Sequence, residues 1–378
     1  MRVAASRPLP AAQQAGSGAL AQQDVVPYLL ASGLTTPAAI VDGALVVHDR
    51  SSRNRNYAVQ AGTGPSLLLK QGIGRDGAAA VAREAAAYRR LAAEPAFRSY
   101  LPRPFGYDEH RGVLALEVVA DAPDLRTYHL VRGGFPVTPG RLLGRALGTL
   151  HRLTSDRAAE PRPAWAPSPL WIHRPDLSVM RDASAAGLQL IKLVQHAPGL
   201  PRAIDDLRAG WRPSAVVHLD VKWDNCLLAR HPRTGRASVL KLIDWEAASP
   251  GDPCWDIGSA LGQYLSAWVF SIPVTGAVPP ERFPELALHP LEAMHPALRA
   301  CWAAYVRALG EPDETARLIR TVRYAAVRLI QTALEAAQMT DQLTGPLVLH
   351  VQLAANMLTR PHEAAVHLLG LPLRAFRP

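Results

Sequence analysis

The sequence is poor in several features, and each shortage removes a class of protein. It has three cysteines in 378 residues, Cys226, Cys254 and Cys301. They lie far apart, with neither zinc-ligand spacing nor the even count of a disulfide framework. A reducing cytoplasm is therefore the expected location. No apolar run reaches the length of a membrane span; Leu265–Phe270 is far too short. The first residues lack the continuous apolar core of a secretion signal, and their Ala, Gln, Pro and Gly content predicts a disordered tail over residues 1–23. Charge of one sign is never massed in a block. Lys and Arg give a formal net charge of +9, but they are scattered, so neither nucleic acid nor a membrane is an expected partner. There is no internal repeat and no Walker A motif; "GTGPSLLLK" has the wrong spacing.

What is present suits a globular chain of two lobes: 48% hydrophobic and 19% charged residues over a length too great for one small core. A short helix is predicted over Asp24–Leu30, and Ala39–His48 alternates toward β. Asn56 to Lys70 reads as two strands joined by a Gly-rich turn, Asp76–Glu94 as a proline-free helix and Gly112–Val119 as a strand. After Pro123 the chain turns helical: Pro139–Leu153 has helical spacing, Pro161–Pro169 reads as a loop, and further helices follow to Gly210. A strand begins at Ser214 and another covers Ser238–Trp245, with "HPRTGRA" (231–237) as the turn before it. From Asp256 on the chain reads as mostly helical, notably Arg317–Met339. The expected plan is α+β and bilobal, without βαβ alternation. Residues 24–120 are expected as a β-rich N-lobe, and residues 121–378 as a mainly helical C-lobe that contains the hairpin.

The densest chemistry lies in "VVHLDVKWDNCLL", Val216–Leu228. A strand delivers the chain to a loop, His218–Asn225, and the strand that leaves it turns and returns to end at Asp244. Asp220, Asn225 and Asp244 can then share one end of a small sheet. Asn225 and Asp244 are hard oxygen donors of the kind Mg²⁺ accepts. Asp220 could accept the hydrogen of an attacking hydroxyl. Lys222 places a cation in the same loop.

The spacing His-x-Asp-x-Lys-x-x-Asn, followed by a strand ending in Asp, resembles the protein-kinase-like superfamily. "LIDWEAASPGDPCWDIGSAL" (242–261) is more closely similar to the aminoglycoside phosphotransferase and choline kinase family. The short interval from Asp244 to Asp252 favours that branch over regulated protein kinases. The resemblance spans Val46 to Leu261 and is specific in the two C-terminal loops. It implies ATP and Mg²⁺ as cofactors, with the metal on Asn225 and Asp244. It implies a Lys70–Glu84 pair that holds the lysine toward the α/β-phosphates. The backbone of Glu117–Val119 would bind adenine, and the Ser51–Val59 turn, which lacks glycines, would cover the phosphates through Ser52 and Asn54. The implied reaction is phosphoryl transfer to an alcohol. Lys222 stands where that family more often has His and protein kinases have Lys. The acceptor is thus either a small molecule or Ser/Thr of a natural-product precursor peptide, the latter calling for a partner lyase. The alternative is a pseudokinase-type subunit that binds nucleotide or peptide without transfer, and such a chain would normally lose Asp220, Asn225 or Asp244.

Plainer readings compete for several of these residues. "GIGRDG" (72–77) has the letters of a dinucleotide fingerprint, but no further βαβ unit follows, and a loop after Lys70 accounts for it better. His218 is expected to pack beneath the catalytic loop, and Asp256 to brace that loop through backbone N–H groups. Glu246 could assist a metal or cap its turn. Asp224 should face solvent. Trp223 and Trp245 should be core residues.

Overall fold

In the computed structural model the described residues are 18–43, 45–62, 64–155, 166–230, 237–273, 278–312 and 315–373. The expected turn at 231–237 lies outside them except for Ala237, as do the tail up to residue 17 and most of the loop expected at 161–169. The strands, in chain order, are β1 (Leu45–Asp49), β2 (Asn54–Ala61), β3 (Leu67–Gly72), β4 (Pro104–Asp108), β5 (Val113–Glu117), β6 (Ala215–Val217), β7 (Cys226–Arg230), β8 (Ala237–Leu242) and β9 (Ser249–Gly251). The helices used below are α1 (Val25–Ala31), α2 (Pro37–Val41), α3 (Gly74–Ala92), α4 (Leu125–Arg132), α5 (Val137–Thr154), α6 (Leu177–Asp182), α7 (Ala185–His196), α8 (Leu200–Ala209), α9 (Pro253–Phe270), α10 (His295–Leu309), α11 (Thr315–Ala337) and α12 (Gly345–Thr359).

Contacts divide the chain into two units, residues 1–123 with 225–248, and residues 124–224 with 249–378. The first holds an antiparallel sheet in the order β1-β2-β3-β5-β4 and a separate β7–β8 hairpin. That hairpin, expected within a lobe of residues 121–378, packs with the N-terminal unit instead. Lys241 explains part of this: its Nζ donates to the carbonyls of Leu101 at 2.7 Å and Ser99 at 3.4 Å. The Leu228 N–H also donates to Pro123 O at 2.9 Å.

Alternation decides the faces of the five-stranded sheet. Tyr57, Val59, Leu67, Leu69, Val113 and Ala115 point one way into a core shared with Val25, Tyr28 and Leu29 of α1. Leu20 belongs to the same core and is 2% exposed. Its N–H donates to Gln71 Oε1 at 2.8 Å, and its carbonyl accepts from Arg55 and Tyr57. Residues 18–23, expected as tail, are therefore folded onto the sheet by one buried leucine and its satisfied backbone. Residues 39–41, at the start of the segment expected to lean toward β, belong instead to α2: Thr36 caps it by accepting the Ala39 N–H, and Pro37 stands at its first position. The sequence reading had no β4, because Pro104 and Gly106 disguise an edge strand.

The second unit is helical around α5, α9, α10 and α11, with the short β6–β9 pair at its edge. Small residues set the closeness of its helices. A Cβ on Gly144 would fall 1.9 Å from Cys301 O, which locks α5 against α10. A Cβ on Gly258 would fall 2.8 Å from Thr321 O, and one on Gly262 would fall 3.1 Å from Ala325 O, so α9 and α11 touch through backbone. No helix among the described residues is long and apolar enough to cross a membrane.

Candidate active site

In the first unit, Lys70 occupies the face of β3 opposite the α1 core. Its Nζ lies 2.7 Å from Glu84 Oε2 on α3, 2.7 Å from Asp244 Oδ1 and 3.7 Å from Glu246 Oε2. Burial alone would push the lysine toward neutrality. The Glu84 and Asp244 carboxylates outweigh it and hold the ammonium above its usual range. Burial pushes the Glu84 carboxyl up, and Lys70 pulls it back. Carboxylate oxygens of Glu84, Asp244 and Glu246 all lie within 4.8 Å of one another. Glu246 is thus part of the charged cluster, and its carbonyl accepts from Arg83 Nε at 3.3 Å. Trp245 between them is fully buried, edge-on to Phe97.

The β7–β8 register places Asn225 and Asp244 at one end of the hairpin. The last paired residues are Cys226 and Leu242, and Asn225 O then accepts the Ile243 N–H at 3.1 Å. Asp244 follows with φ 65°, in the left-handed region that Asp tolerates better than most side chains. Asn225 itself is 5% exposed.

The remaining expected nucleotide contacts are spread along the sheet. Ser52 is exposed in the β1–β2 turn, and its N–H donates to Asn54 O at 2.9 Å. Asn54 reaches toward the start of α3, its Oδ1 3.3 Å from where a Gly77 Cβ would stand. A Cβ on Gly72 would meet the Gly77 backbone at 2.1 Å, so Gly72 and Gly77 of "GIGRDG" serve strand-to-helix packing beside an antiparallel sheet, while Gly74 supplies a φ of 68°. Glu117 is a sheet residue: its N–H donates to Arg103 O and its Oε2 accepts the Arg103 N–H. Val119 differs, lining an open cavity of about 660 Å³ with Gln60, Ser66, Asp121 and Arg230. Ser66 stands four residues from Lys70, about 13 Å along the strand. Sequence reasoning missed Asn56, which pairs with Lys70 across the strands and whose Oδ1 is buried without a hydrogen-bond partner among the described residues.

In the second unit the loop around Asp220 is held rigidly. Asp256, at the start of α9, accepts the N–H of His218 at 2.7 Å and of Leu219 at 3.0 Å. Trp255 Nε1 donates to Leu219 O at 3.0 Å. Leu219 therefore keeps φ 66°, a strained value for leucine, with both its backbone polar groups pinned. His218 is fully buried below, and His151 braces Asp256 at 3.2 Å. The Asp220 side chain is 25% exposed, with Lys222 Nζ 2.7 Å from its Oδ2. Asp224 faces solvent as expected, and there it forms a two-pronged pair with Arg126 at 2.9 and 2.8 Å, which holds its carboxyl below the usual range. Trp223 is buried against His129 and Tyr264.

Sequence reasoning also missed Arg328. This α11 residue is 1% exposed, with Nη1 3.8 Å from Asp220 Oδ1 and 3.5 Å from Glu335 Oε1.

A search among curated proteins found no match. The chain is similar in fold to solved structures. Choline kinase from Cryptosporidium parvum is 14% identical with a TM-score of 0.50, covering 86% of this chain and 91% of that one. Choline kinase LicA from Streptococcus pneumoniae is 16% identical with a TM-score of 0.49, covering 89% and 98%. Macrolide 2′-phosphotransferase MphH from Brachybacterium faecium is 17% identical with a TM-score of 0.47, covering 89% and 99%. The first likeness is one of fold, an α+β protein-kinase-like arrangement. The family model described as "Phosphotransferase enzyme family" matches residues 46–282.

Proposed function

The chain belongs to the phosphotransferase enzyme family, and on that premise we propose that it transfers the γ-phosphoryl group of ATP, with Mg²⁺, to the hydroxyl of a small-molecule alcohol. The observation that carries this reading is the charge cluster of the first unit, in which Lys70 stands between Glu84 and Asp244 at 2.7 Å from each. The residues fit both groups. A buried ammonium held in its charged form suits polyphosphate oxygens. The Asn225 amide and the Asp244 carboxylate are the hard donors Mg²⁺ takes beside waters and phosphate oxygens, and Asp244 already meets a cation. When bound, Mg²⁺ would neutralise charge on the phosphates. Lys70 orients the α/β-phosphates, and the cavity at Val119 receives the base. Asp220 orients the acceptor hydroxyl and takes its proton, while Lys222 offsets charge on the moving group. Such catalysis is chiefly positioning and electrostatics.

The surroundings of Asp220 inform the acceptor class. Lys222, Arg328 and Arg126 each face a carboxylate, from Asp220, Glu335 and Asp224. Charge is thus balanced locally, and the +9 of the whole chain does not act as a net pull here. An acceptor of low net charge fits best. The test is mass spectrometry after incubation with ATP and Mg²⁺, using an amino alcohol, an aminoglycoside, a macrolide and a Ser/Thr peptide. One phosphate gained by a small alcohol supports the proposal. One gained by the peptide moves it to peptide modification, where a separate lyase would act next. ATP binding with no product from any acceptor and no phosphate release favours a binding subunit.

A further inference from the structure

Arg328 is a charged side chain in a place where helices usually carry leucine. It lies mid-way along α11 among Ala325, Ala326, Val327, Leu329 and Ile330, all fully buried. Taking a guanidinium out of water costs several kcal/mol unless carboxylates meet it closely. Its two carboxylates are both at loose distances, 3.8 Å for Asp220 and 3.5 Å for Glu335. Its Nε is buried with no hydrogen-bond partner among the described residues. As a stabilising ion pair this is poor. The fold nevertheless goes to some length to bring it in. Gly258 and Gly262 let α11 sit directly on α9, and a Cβ on Gly262 would lie 3.5 Å from Arg328 Cβ.

The exposures of the two partners separate their roles. Asp220 is 25% exposed at its side chain and Arg328 1%, so an acceptor can reach the carboxylate and not the arginine. Lys222 holds Oδ2 from the same loop, and Arg328 faces Oδ1 from a helix far along the chain. Lys222 is long and 32% exposed, free to swing toward substrate. Arg328 is planar, always charged and packed. We propose that Arg328 is the positioning residue of the phosphotransfer site: it fixes the rotamer of Asp220, leaving Oδ2 as the oxygen that meets the acceptor hydroxyl when Lys222 turns to the phosphoryl group. Glu335, half exposed on the next turns of α11 and bound by Gln331 Nε2 at 2.8 Å, is the outer anchor that keeps the guanidinium from rotating away. This inference rests on the phosphotransferase reading, and its test separates the two.

The experiment measures Mg²⁺-dependent ATP turnover, nucleotide affinity and melting temperature for the full-length wild type, Arg328→Met, Arg328→Lys and Arg328→Ala. Arg328→Met removes a loosely paired buried charge and keeps volume, so it should fold as stably as wild type or better. Its kcat should nonetheless fall at least tenfold, with ATP affinity unchanged. Arg328→Lys should lie between the two. In Arg328→Ala, millimolar guanidinium ion should restore part of kcat, whereas the same concentration of sodium should not. A folded Arg328→Met with wild-type kcat overturns the proposal. So does a loss of kcat in Arg328→Ala that guanidinium leaves untouched while melting temperature and ATP affinity fall together, since that is the mark of a purely structural role. Wild-type protein that consumes no ATP with any acceptor overturns the phosphotransferase reading, and the role for Arg328 with it.

Discussion

Asp244 closes β8 with a left-handed backbone and sets its Oδ1 2.7 Å from Lys70 Nζ. The residue thus carries a conformational penalty and a cation contact at once. Leu219 shares the left-handed backbone, with φ 66°, two residues beyond the end of β6 and next to Asp220. Each such backbone costs on the order of 1–3 kcal/mol. Both sit where the chain must turn abruptly to present a carboxylate, and in each case neighbouring groups fix the turn.

Lys70 should be costly to remove because it neutralises a carboxylate with a side chain only 2% exposed. Lys70→Met is expected to lower unfolding free energy by about 3 kcal/mol at neutral pH. Adding Glu84→Gln should recover much of it, since the stranded charge then disappears. Urea unfolding of both single variants and the double variant checks this. Additive losses would contradict a direct pair. The cost of Lys70→Met should also shrink toward acid pH, where the buried Glu84 takes up a proton.

Asp220→Asn keeps the shape of the loop and removes the proton acceptor. Transfer should fall by roughly 10²–10⁴, with ATP affinity unchanged. Isothermal titration for binding and single-turnover phosphate transfer for chemistry would separate the two. Wild-type transfer in this variant would take the base role away from Asp220.

The stability of the helical unit should depend on pH through His350 of α12. It is fully buried against Phe270, its Nδ1 lies 2.7 Å from Pro346 O, and burial brings its pKa down to about 4. The unfolded chain takes up this proton below about pH 6.5 and the folded chain does not, so stability falls as pH drops from there toward 4. Between pH 7 and 5 the loss is about 2 kcal/mol. His350→Leu should lose less than wild type over that interval in melts at the two pH values. Parallel losses would show that other groups govern the acid limb.

Local pattern made the β7–β8 hairpin and the loop before it legible. His218, Asp220 and Lys222 stand in the loop after β6, Asn225 and Asp244 stand at one end of the β7–β8 hairpin, and apolar residues on both sides mark their setting. Lys70 and Glu84 followed because a strand and a helix adjacent in sequence pack together. Arg328 had no such signal: it lies over a hundred residues beyond Asp220, and nothing local distinguishes it from a surface arginine on an amphipathic helix. Leu20 was hidden in a stretch whose composition is that of a tail, and one buried leucine changes no compositional average. Asn56 was read only as a strand residue, because its pairing with Lys70 depends on a register that sequence does not give.

The most direct test of the account is the thermal shift produced by ATP with and without Mg²⁺, in wild type and in Asp244→Asn. Asparagine tolerates the left-handed backbone at this position, so the variant changes the ligand and not the turn. The account predicts a stabilisation by ATP that grows on adding Mg²⁺ in the wild type, and in the variant a shift that Mg²⁺ leaves unchanged. The same Mg²⁺-dependent gain in both proteins would contradict it.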